Sequence, residues 1–175
     1  MKKFTIVIIT LFVLVSVFTF RQFGFSTTDN IDPIHHSHLS DIDPEKVDWK
    51  SKDESYWKSV LTEDQYTVCR SNGTEPQFSG EYNKFYEEGV YLCSSCGLAL
   101  FSSKAKYDSK TGWPSFWEPI SNDSVQLQRD DSLDIIRTEV VCPRCGAHLG
   151  HLFNDGPQPT GKRYCINSVC LLHRK

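Results

Sequence analysis

The hydrophobic pattern divides the chain into one uninterrupted apolar run at its start and several shorter apolar segments later on. Residues 4–20 are seventeen positions without a charged side chain, and Lys2 and Lys3 precede them. Two lysines before an apolar run are typical of a secretory signal. A helix of this length spans roughly 25 Å, slightly less than the ~30 Å hydrocarbon core of a bilayer. We therefore predict a signal peptide or transmembrane signal anchor over residues 1–21.

No Ala-x-Ala cleavage site follows this run, which favours an uncleaved anchor over a cleaved signal peptide. Lys2 and Lys3 would then stay in the cytoplasm, and the rest of the chain would lie outside it. We expect a domain that is anchored to a membrane and lies outside the cytoplasm, or that is secreted if the signal is cleaved.

Polar residues without apolar periodicity fill residues 22–52, so this stretch is predicted to be a linker. Residues 53–175 are predicted to form the folded domain. A short amphipathic helix near its start is indicated by four apolar residues at helical spacing, Tyr56, Trp57, Val60 and Leu61.

Short apolar runs separated by turn residues make up the rest of this domain, at 90–92, 98–101, 125–128, 135–141 and 148–153. Residues 125–128 alternate strictly between apolar and polar, as a half-buried strand does. These runs predict a mainly β domain with antiparallel sheets and little helix.

Composition limits the classes of function. The chain has 175 residues, a net charge of −3 and a pI of about 6.1, so it lacks the basic field that binds nucleic acid. Its seven cysteines are an odd number, so at least one sulfur is free, bound to metal or paired with another chain.

Four of the cysteines lie in two Cys-x-x-Cys segments that are separated by 45 residues: Cys93, Cys96, Cys142 and Cys145. Each segment places two thiolates at the separation of two vertices in a tetrahedral zinc site. Together they predict one structural Zn²⁺ without an open coordination position. Gly97 and Gly146 follow the two segments, where glycine relieves backbone strain. Two redox motifs or two disulfides are the alternative outside the cytosol.

A dense group of polar residues lies within twenty positions near the end of the chain: His148, His151, Asn154, Asp155, Arg163, Cys165 and Asn167. A cation such as Arg163 favours the thiolate that a reactive cysteine needs. Histidine transfers protons near neutral pH, and a carboxylate such as Asp155 fixes its tautomer. Taken singly, each residue also has a structural interpretation. Cys165 fits a buried core residue, His148 fits a residue that stabilises the second cysteine segment, and Asp155 fits a turn residue. Taken together, these residues favour a catalytic site.

Residues 112–117 have the sequence Gly-Trp-Pro-Ser-Phe-Trp. Three aromatic side chains beside a proline either line a pocket for a small apolar group or belong to the core. The residue pattern alone leaves both interpretations open.

The combination of these motifs resembles the methionine-R-sulfoxide reductases of the B type. The resemblance covers about residues 55–173 and rests on the two Cys-x-x-Cys segments and on residues 73–75, 78–82, 112–116, 148–157 and 163–168. It implies two antiparallel sheets, with zinc on the side opposite the active site. It also implies reduction of the R epimer of methionine sulfoxide in proteins or peptides.

The same resemblance implies roles for individual residues. Cys165 becomes the nucleophile, Arg163 favours its thiolate, and Asp155 orients a histidine. Trp113 becomes the wall that holds the methyl group of the substrate, and Phe153 joins it in substrate binding. Three further residues would surround the sulfoxide oxygen, His148, His151 and Asn167. A binding module built on the same scaffold without catalysis is the main rival hypothesis, and it would not need this set.

Recycling of the enzyme is the open question of the sequence. Cys165 would keep the oxygen as a sulfenic acid, which a second thiol condenses with and an external dithiol then reduces. Many relatives carry that resolving cysteine just before Gly-Trp-Pro-Ser-Phe, where this chain has Thr111. Cys69 or Cys170 substitutes for it, with Cys69 preferred, or a thioredoxin-like reductant attacks the sulfenic acid directly. Inert buried thiols are the alternative for both residues.

The partners expected from this interpretation are oxidised proteins or peptides and a thioredoxin-like reductant. Nucleic acid is not expected, and residues 4–20 would contact the membrane if they are not cleaved. The domain is expected to be a monomer.

Overall fold

A computed structural model describes residues 37–40, 42–133 and 135–175. The predicted signal or anchor over residues 1–21 lies outside these residues. In the part of the chain that is described, no helix is long and apolar enough to cross a membrane.

The segment before the domain packs on it instead of forming a plain linker. After helix α1 (Ser37–Ser40), two 3₁₀ turns occupy Pro44–Lys46 and Trp49–Ser51. Trp49 is 3% exposed, its ring stacks 6.1 Å from that of Trp57, and its indole N–H donates to the Pro44 carbonyl. The linker predicted over residues 22–52 is therefore corrected in its second half, because an aromatic side chain there is buried in the core.

Two helices follow. Helix α2 (Glu54–Val60) confirms the predicted amphipathic helix and buries Trp57. Helix α3 (Glu63–Cys69) was not predicted, although Thr62 and Gln65 begin it with a reciprocal capping box.

Nine strands form the rest of the domain: β1 Val90–Cys93, β2 Ala99–Ser102, β3 Lys106–Tyr107, β4 Ser115–Phe116, β5 Gln126–Asp130, β6 Arg137–Val141, β7 His148–Phe153, β8 Arg163–Ile166 and β9 Leu171–Arg174. They build a three-stranded sheet in the order β2–β1–β9 and a six-stranded sheet in the order β3–β4–β8–β7–β6–β5. All strand pairs are antiparallel. Three further 3₁₀ turns connect them, at Ser103–Ala105, Asn122–Ser124 and Ser168–Cys170. The predicted mainly β fold with two antiparallel sheets is confirmed.

Aromatic side chains join the two sheets. Tyr91 on β1 packs edge-on against Phe116 on β4, with ring centroids 5.0 Å apart. Phe101 on β2 stacks on the same Phe116 at 4.4 Å. All three are fully buried, so the smaller sheet is fixed directly to the strand that pairs with β8.

Strand β5 forms where the alternating pattern predicted a strand, but its burial differs. It lies at the edge of the six-stranded sheet, and Leu127 is 44% exposed. The alternation correctly indicates extended backbone, whereas the expected half burial is wrong because none of the residues that the structure describes covers this edge.

A disulfide links Cys69, at the end of α3, to Cys170 in the 3₁₀ turn after β8. The two residues are 101 positions apart in sequence and are both buried. The sequence analysis considered each as a separate resolving thiol or an inert thiol. In this structure neither has a free thiol, and the pair instead fixes α3 to the segment that follows β8.

Candidate active site

Strands β7 and β8 bring the predicted reactive residues together. Their antiparallel register places His151 opposite Cys165 and Phe153 opposite Arg163. Side chains of directly opposed residues lie on the same face of a sheet. The two strands approach closely because residue 150 is glycine: a Cβ there would lie 2.0 Å from the Cys165 carbonyl oxygen.

An irregularity in β7 places the two histidines side by side. Val140 of β6 pairs with Gly150, but the next residue, Val141, pairs with His148, so Leu149 is an extra residue in β7. A bulge of this kind shifts the alternation of side chains by one position. The rings of His148 and His151 consequently lie with centroids 5.3 Å apart.

A cleft of about 140 Å³ opens over these strands. It is lined by Thr74, Trp113, Arg137, Gly150, His151, Phe153, Cys165, Ile166 and Asn167. Five of these residues were predicted to belong to the site. His148, Asp155 and Arg163 do not line the cleft: His148 contacts His151, Arg163 contacts Phe153, and Asp155 contacts Arg163. Of the three aromatic residues in 112–117, only Trp113 lines the cleft, while Phe116 is in the core.

Cys165 is the single free cysteine that is not buried, since the other four free cysteines are fully enclosed. Burial raises the pKa of the Cys165 thiol above its ordinary value. The Arg163 guanidinium lowers the same pKa, and the Thr111 and Ser115 hydroxyls act in the same direction. Burial is the larger influence, so the thiol form is favoured before a substrate arrives.

Asp155 was predicted to orient a histidine, and the structure corrects this role. Its two carboxylate oxygens accept hydrogen bonds from Nε and Nη2 of Arg163 at 2.8 and 2.9 Å. Arg163 also stacks on the Phe153 ring, with Cζ 4.1 Å from the ring centroid. The guanidinium hydrogen bonds lower the pKa of Asp155. Asp155 therefore fixes the cation beside Cys165 and not the imidazole.

The histidines have other carboxylate partners, which the sequence analysis missed. His148 Nδ1 lies 2.5 Å from Glu139 Oε1, and His151 Nε2 lies 2.8 Å from Asp130 Oδ2. Arg137 donates to the same oxygen of Asp130 at 2.6 Å. Burial lowers the pKa of His151, and the hydrogen bond to Asp130 opposes that change. Asp130 is the last residue of β5 and Arg137 is the first residue of β6, so the two meet only once the β5–β6 hairpin forms.

Glu75 holds the opposite wall of the cleft. Its carbonyl oxygen accepts the indole N–H of Trp113 at 3.1 Å, and its own N–H donates to Asn167 Oδ1 at 3.2 Å. Its buried carboxylate accepts the backbone N–H groups of Ser168 and Val169 at 2.7 and 2.9 Å. Burial raises the pKa of Glu75. Glu75 therefore orients both Trp113 and Asn167.

The four cysteines of the two Cys-x-x-Cys segments form a compact group, called here the four-cysteine cluster: Cys93, Cys96, Cys142 and Cys145. All four are buried and their sulfurs lie within 4.8 Å of one another. Two of the separations are 3.8 Å and 3.5 Å. Four sulfurs at about 2.3 Å from a tetrahedral metal ion are separated by about 3.8 Å, so this donor set fits such an ion.

The two segments are folded alike. Gly97 and Gly146 both have positive φ, 72° and 73°, and each donates its N–H to the first cysteine of its segment at 2.8 Å. Glycine adopts this conformation at little cost, as the sequence analysis expected. The four-cysteine cluster is positioned to bind one metal ion.

Comparison with known proteins supports the chemistry that this geometry indicates. Residues 61–175 match the SelR domain. A peptide methionine sulfoxide reductase MsrB of Methanosarcina mazei is 60% identical over 122 residues, which are 69% of this chain and 86% of that protein. The MsrB of Pseudomonas fluorescens is 60% identical over 115 residues, 66% of this chain and 88% of that protein. The MsrB of Teredinibacter turnerae is 50% identical over 124 residues, 71% of this chain and 92% of that protein.

Proposed function

Because the chain belongs to the SelR family and is a peptide-methionine (R)-S-oxide reductase, we propose that Cys165 is the nucleophile of this reaction. The observation that carries the proposal is the cleft in which Cys165, Trp113, His151 and Asn167 converge. A cleft of about 140 Å³ accepts one side chain of a substrate protein and not a folded segment. The indole of Trp113 offers an apolar face for the methyl group of the sulfoxide.

The proposed reaction transfers one oxygen atom and one proton. Sulfur of Cys165 attacks the sulfoxide sulfur while the sulfoxide oxygen is protonated, since an unprotonated oxygen is a poor leaving group. The oxygen then moves to the Cys165 sulfur as the bond between the two sulfurs breaks, so methionine leaves and Cys165 keeps the oxygen as a sulfenic acid. The thiol form supplies the proton that the oxygen gains, so the step balances without an external acid. His151, opposite Cys165 in the strand pair, is placed to pass that proton on.

Carboxylate partners prepare the histidines for this transfer. Glu139 and Asp130 each accept a hydrogen bond from one imidazole, which fixes the orientation of the ring. Arg163 stabilises the thiolate as it forms, and Asp155 keeps the guanidinium in place. Asn167 has its oxygen on Glu75 and one N–H on Leu149, which leaves its other N–H for the sulfoxide oxygen.

We further propose that an external thioredoxin-like dithiol reduces the sulfenic acid of Cys165 directly. All seven cysteines lie in the described part of the chain: one pair forms the disulfide and four form the cluster. Because the four cluster cysteines are buried, Cys165 has no accessible cysteine partner within the chain. One external thiol displaces water from the sulfenic acid, and the second thiol reduces the mixed disulfide.

The metal of the four-cysteine cluster is proposed to be a single Zn²⁺. Four thiolates around a tetrahedral site with no open position are typical of structural zinc. Zinc there would hold the loop after β1 against the loop after β6 and would take no part in the reaction.

The location outside the cytoplasm also remains a proposal. The buried Cys69–Cys170 disulfide supports it, because such bonds persist in oxidising compartments. Residues 4–20 would provide the anchor. N-terminal sequencing of the protein from isolated membranes should begin at Met1; a shorter chain, found only in the soluble extracellular fraction, would contradict the anchor.

The central test uses the full chain with peptides that contain one pure epimer of methionine sulfoxide. With dithiothreitol, the protein should reduce the R epimer, and Cys165→Ser should not. Cys69→Ser/Cys170→Ser is the matched control, because it also removes cysteine sulfur but leaves the cleft intact. Retained activity in Cys165→Ser would refute the assignment of the nucleophile.

A further inference from the structure

Three hydroxyl groups form a connected chain that ends at the sulfur of Cys165. Thr111 Oγ1 lies 3.9 Å from Cys165 Sγ and 2.8 Å from Ser109 Oγ. Ser109 Oγ lies 2.7 Å from Ser115 Oγ. Ser115 is fully buried and sits opposite Cys165 in the β4–β8 pair. Residues 109–115 therefore place neutral hydrogen-bonding groups on one side of the reactive sulfur.

Each hydroxyl has one proton, so the chain can point in either of two directions. Ser115 Oγ also lies 3.2 Å from the Trp113 carbonyl oxygen, to which it can donate. In that arrangement Ser109 donates to Ser115, Thr111 donates to Ser109, and Thr111 is left to accept the S–H of Cys165. In the opposite arrangement Ser115 donates to Ser109, Ser109 to Thr111, and Thr111 to the sulfur.

We propose that this chain reverses its direction as Cys165 loses its proton, so that Thr111 is a catalytic residue whose hydroxyl stabilises the thiolate. The inference rests on the proposed role of Cys165 as the nucleophile. Hydroxyl groups linked in one direction polarise one another, so the Thr111 donor is stronger with Ser109 and Ser115 behind it than it would be alone. Rotation of three hydroxyl groups moves no heavy atom, so the buried chain adapts without reorganising the strand pair.

Charged and titratable groups also face Cys165 from the elements around it. Arg163 lies on the same strand as Cys165 and is hydrogen-bonded to Asp155. His151 on β7 and Arg137 on β6 line the same cleft as Cys165. Burial raises the pKa of Tyr107 on β3, and Cys165 acts in the same direction to a smaller extent. Arg163 lowers the pKa of Cys165 more than Thr111 and Ser115 do. The hydroxyl contribution is thus a smaller effect that a substitution at Thr111 isolates without changing any charge.

The test measures how fast iodoacetamide alkylates Cys165 as a function of pH, with the modified residue identified by mass spectrometry. Thr111→Val keeps the shape of the side chain and removes the hydroxyl. We expect the inflection of the profile to rise by about half to one pH unit, the size of one hydrogen bond. Single-turnover formation of the sulfenic acid at neutral pH should slow by about three- to tenfold for the same reason.

Two further variants test whether the whole chain of hydroxyl groups acts on Cys165 or only the contact with Thr111. Thr111→Ser restores the hydroxyl and should return the profile to that of the wild type. Ser109→Ala leaves Thr111 in place but removes the group behind it, and should shift the profile upward by a smaller amount. Thr67→Val, an exposed threonine on α3, is the matched control and should change nothing.

An inflection in Thr111→Val within about 0.2 pH units of the wild type would overturn the proposal, since one hydrogen bond is worth more than that. A shift in Thr111→Val together with none in Ser109→Ala would refute the connected chain. Alkylation requires no turnover, so either failure is distinguishable from loss of the proposed reaction, which the Cys165→Ser assay tests separately.

Discussion

Four sulfurs in the four-cysteine cluster are buried within 4.8 Å of one another, whereas Cys165 lies alone on the wall of a cleft. The cluster sulfurs are buried and face one another at 3.8 and 3.5 Å, so a metal ion is the partner that this geometry fits. Cys165 has a cation and a hydroxyl chain around it and an opening to solvent on one side. The same side chain is therefore positioned to bind metal in one region and is proposed to react in the other.

This difference shows that enclosure and not chemical type separates the two roles. A thiolate that is buried and shares electron density with a metal ion cannot be approached by a substrate, so it is a poor nucleophile. A thiol with one open side can be approached by a substrate, and its surroundings can then shift its proton. The Cys69–Cys170 disulfide is a third case, in which two sulfurs satisfy each other.

The two regions are best separated by measuring both turnover and zinc content in a variant of each region. Cys165→Ser should lower the turnover of R-sulfoxide peptides by at least about 1,000-fold, because a serine hydroxyl does not replace the nucleophile. Its zinc content by elemental analysis should stay at one per chain. A loss of zinc in this variant would show that the two regions are coupled.

Cys142→Ser should give the reverse pattern. Removing one of four ligands is expected to abolish stoichiometric zinc and to lower the melting temperature by more than about 10 °C, because metal binding contributes directly to folding. Calorimetry and elemental analysis check both effects. Less than about half a metal ion per wild-type chain would refute the four-thiolate site.

The disulfide should affect stability and leave recycling unchanged. Cys69→Ser/Cys170→Ser opens a loop of about a hundred residues, so the free energy of unfolding in urea should fall by about 4 kcal/mol. Turnover with thioredoxin should remain near that of the wild type when measured well below the melting temperature. Loss of thioredoxin-supported turnover, with dithiothreitol-supported turnover retained, would return these cysteines to a resolving role.

Carboxylates behind the histidines should give the smallest effect. Asp130→Asn and Glu139→Gln keep the shape of each side chain but replace the carboxylate that accepts the imidazole hydrogen bond with an amide. Each should lower kcat/KM by about tenfold, mainly through kcat, as expected when a proton-transfer group loses its orientation. Asp123→Asn, an exposed carboxylate in a 3₁₀ turn, serves as the control. Unchanged kcat in both variants would remove the carboxylates from the mechanism.

Sequence reasoning worked best where the informative residues are close together in the chain. The two Cys-x-x-Cys segments and the stretch around Cys165 carry their meaning within a few residues, because local spacing determines which side chains can meet. The α2 helix and the mainly antiparallel β fold followed from short-range periodicity in the same way, whereas the division into two sheets was implied by the family resemblance.

It failed where a partner comes from a distant element. Glu139 reaches His148 through the β6–β7 pair, and Cys69 reaches Cys170 across 101 positions. Asp155 lies closer in sequence to the histidines than Asp130 does, yet its carboxylate is hydrogen-bonded to Arg163. A carboxylate seven positions from His148 was a reasonable candidate, but strand register and not sequence distance decides such pairs.

The extra residue Leu149 gives the spacing of the two histidines a further meaning. In a regular strand, residues three apart face opposite sides, so His148 and His151 would be separated by the sheet. Their proximity depends on one inserted position, which makes this stretch sensitive to chain length as well as to residue type. A deletion of Leu149 would keep every reactive side chain and still divide the pair, a change that no comparison of composition would detect. A substitution of Leu149 tests its packing, whereas its deletion tests which side of the sheet each histidine faces.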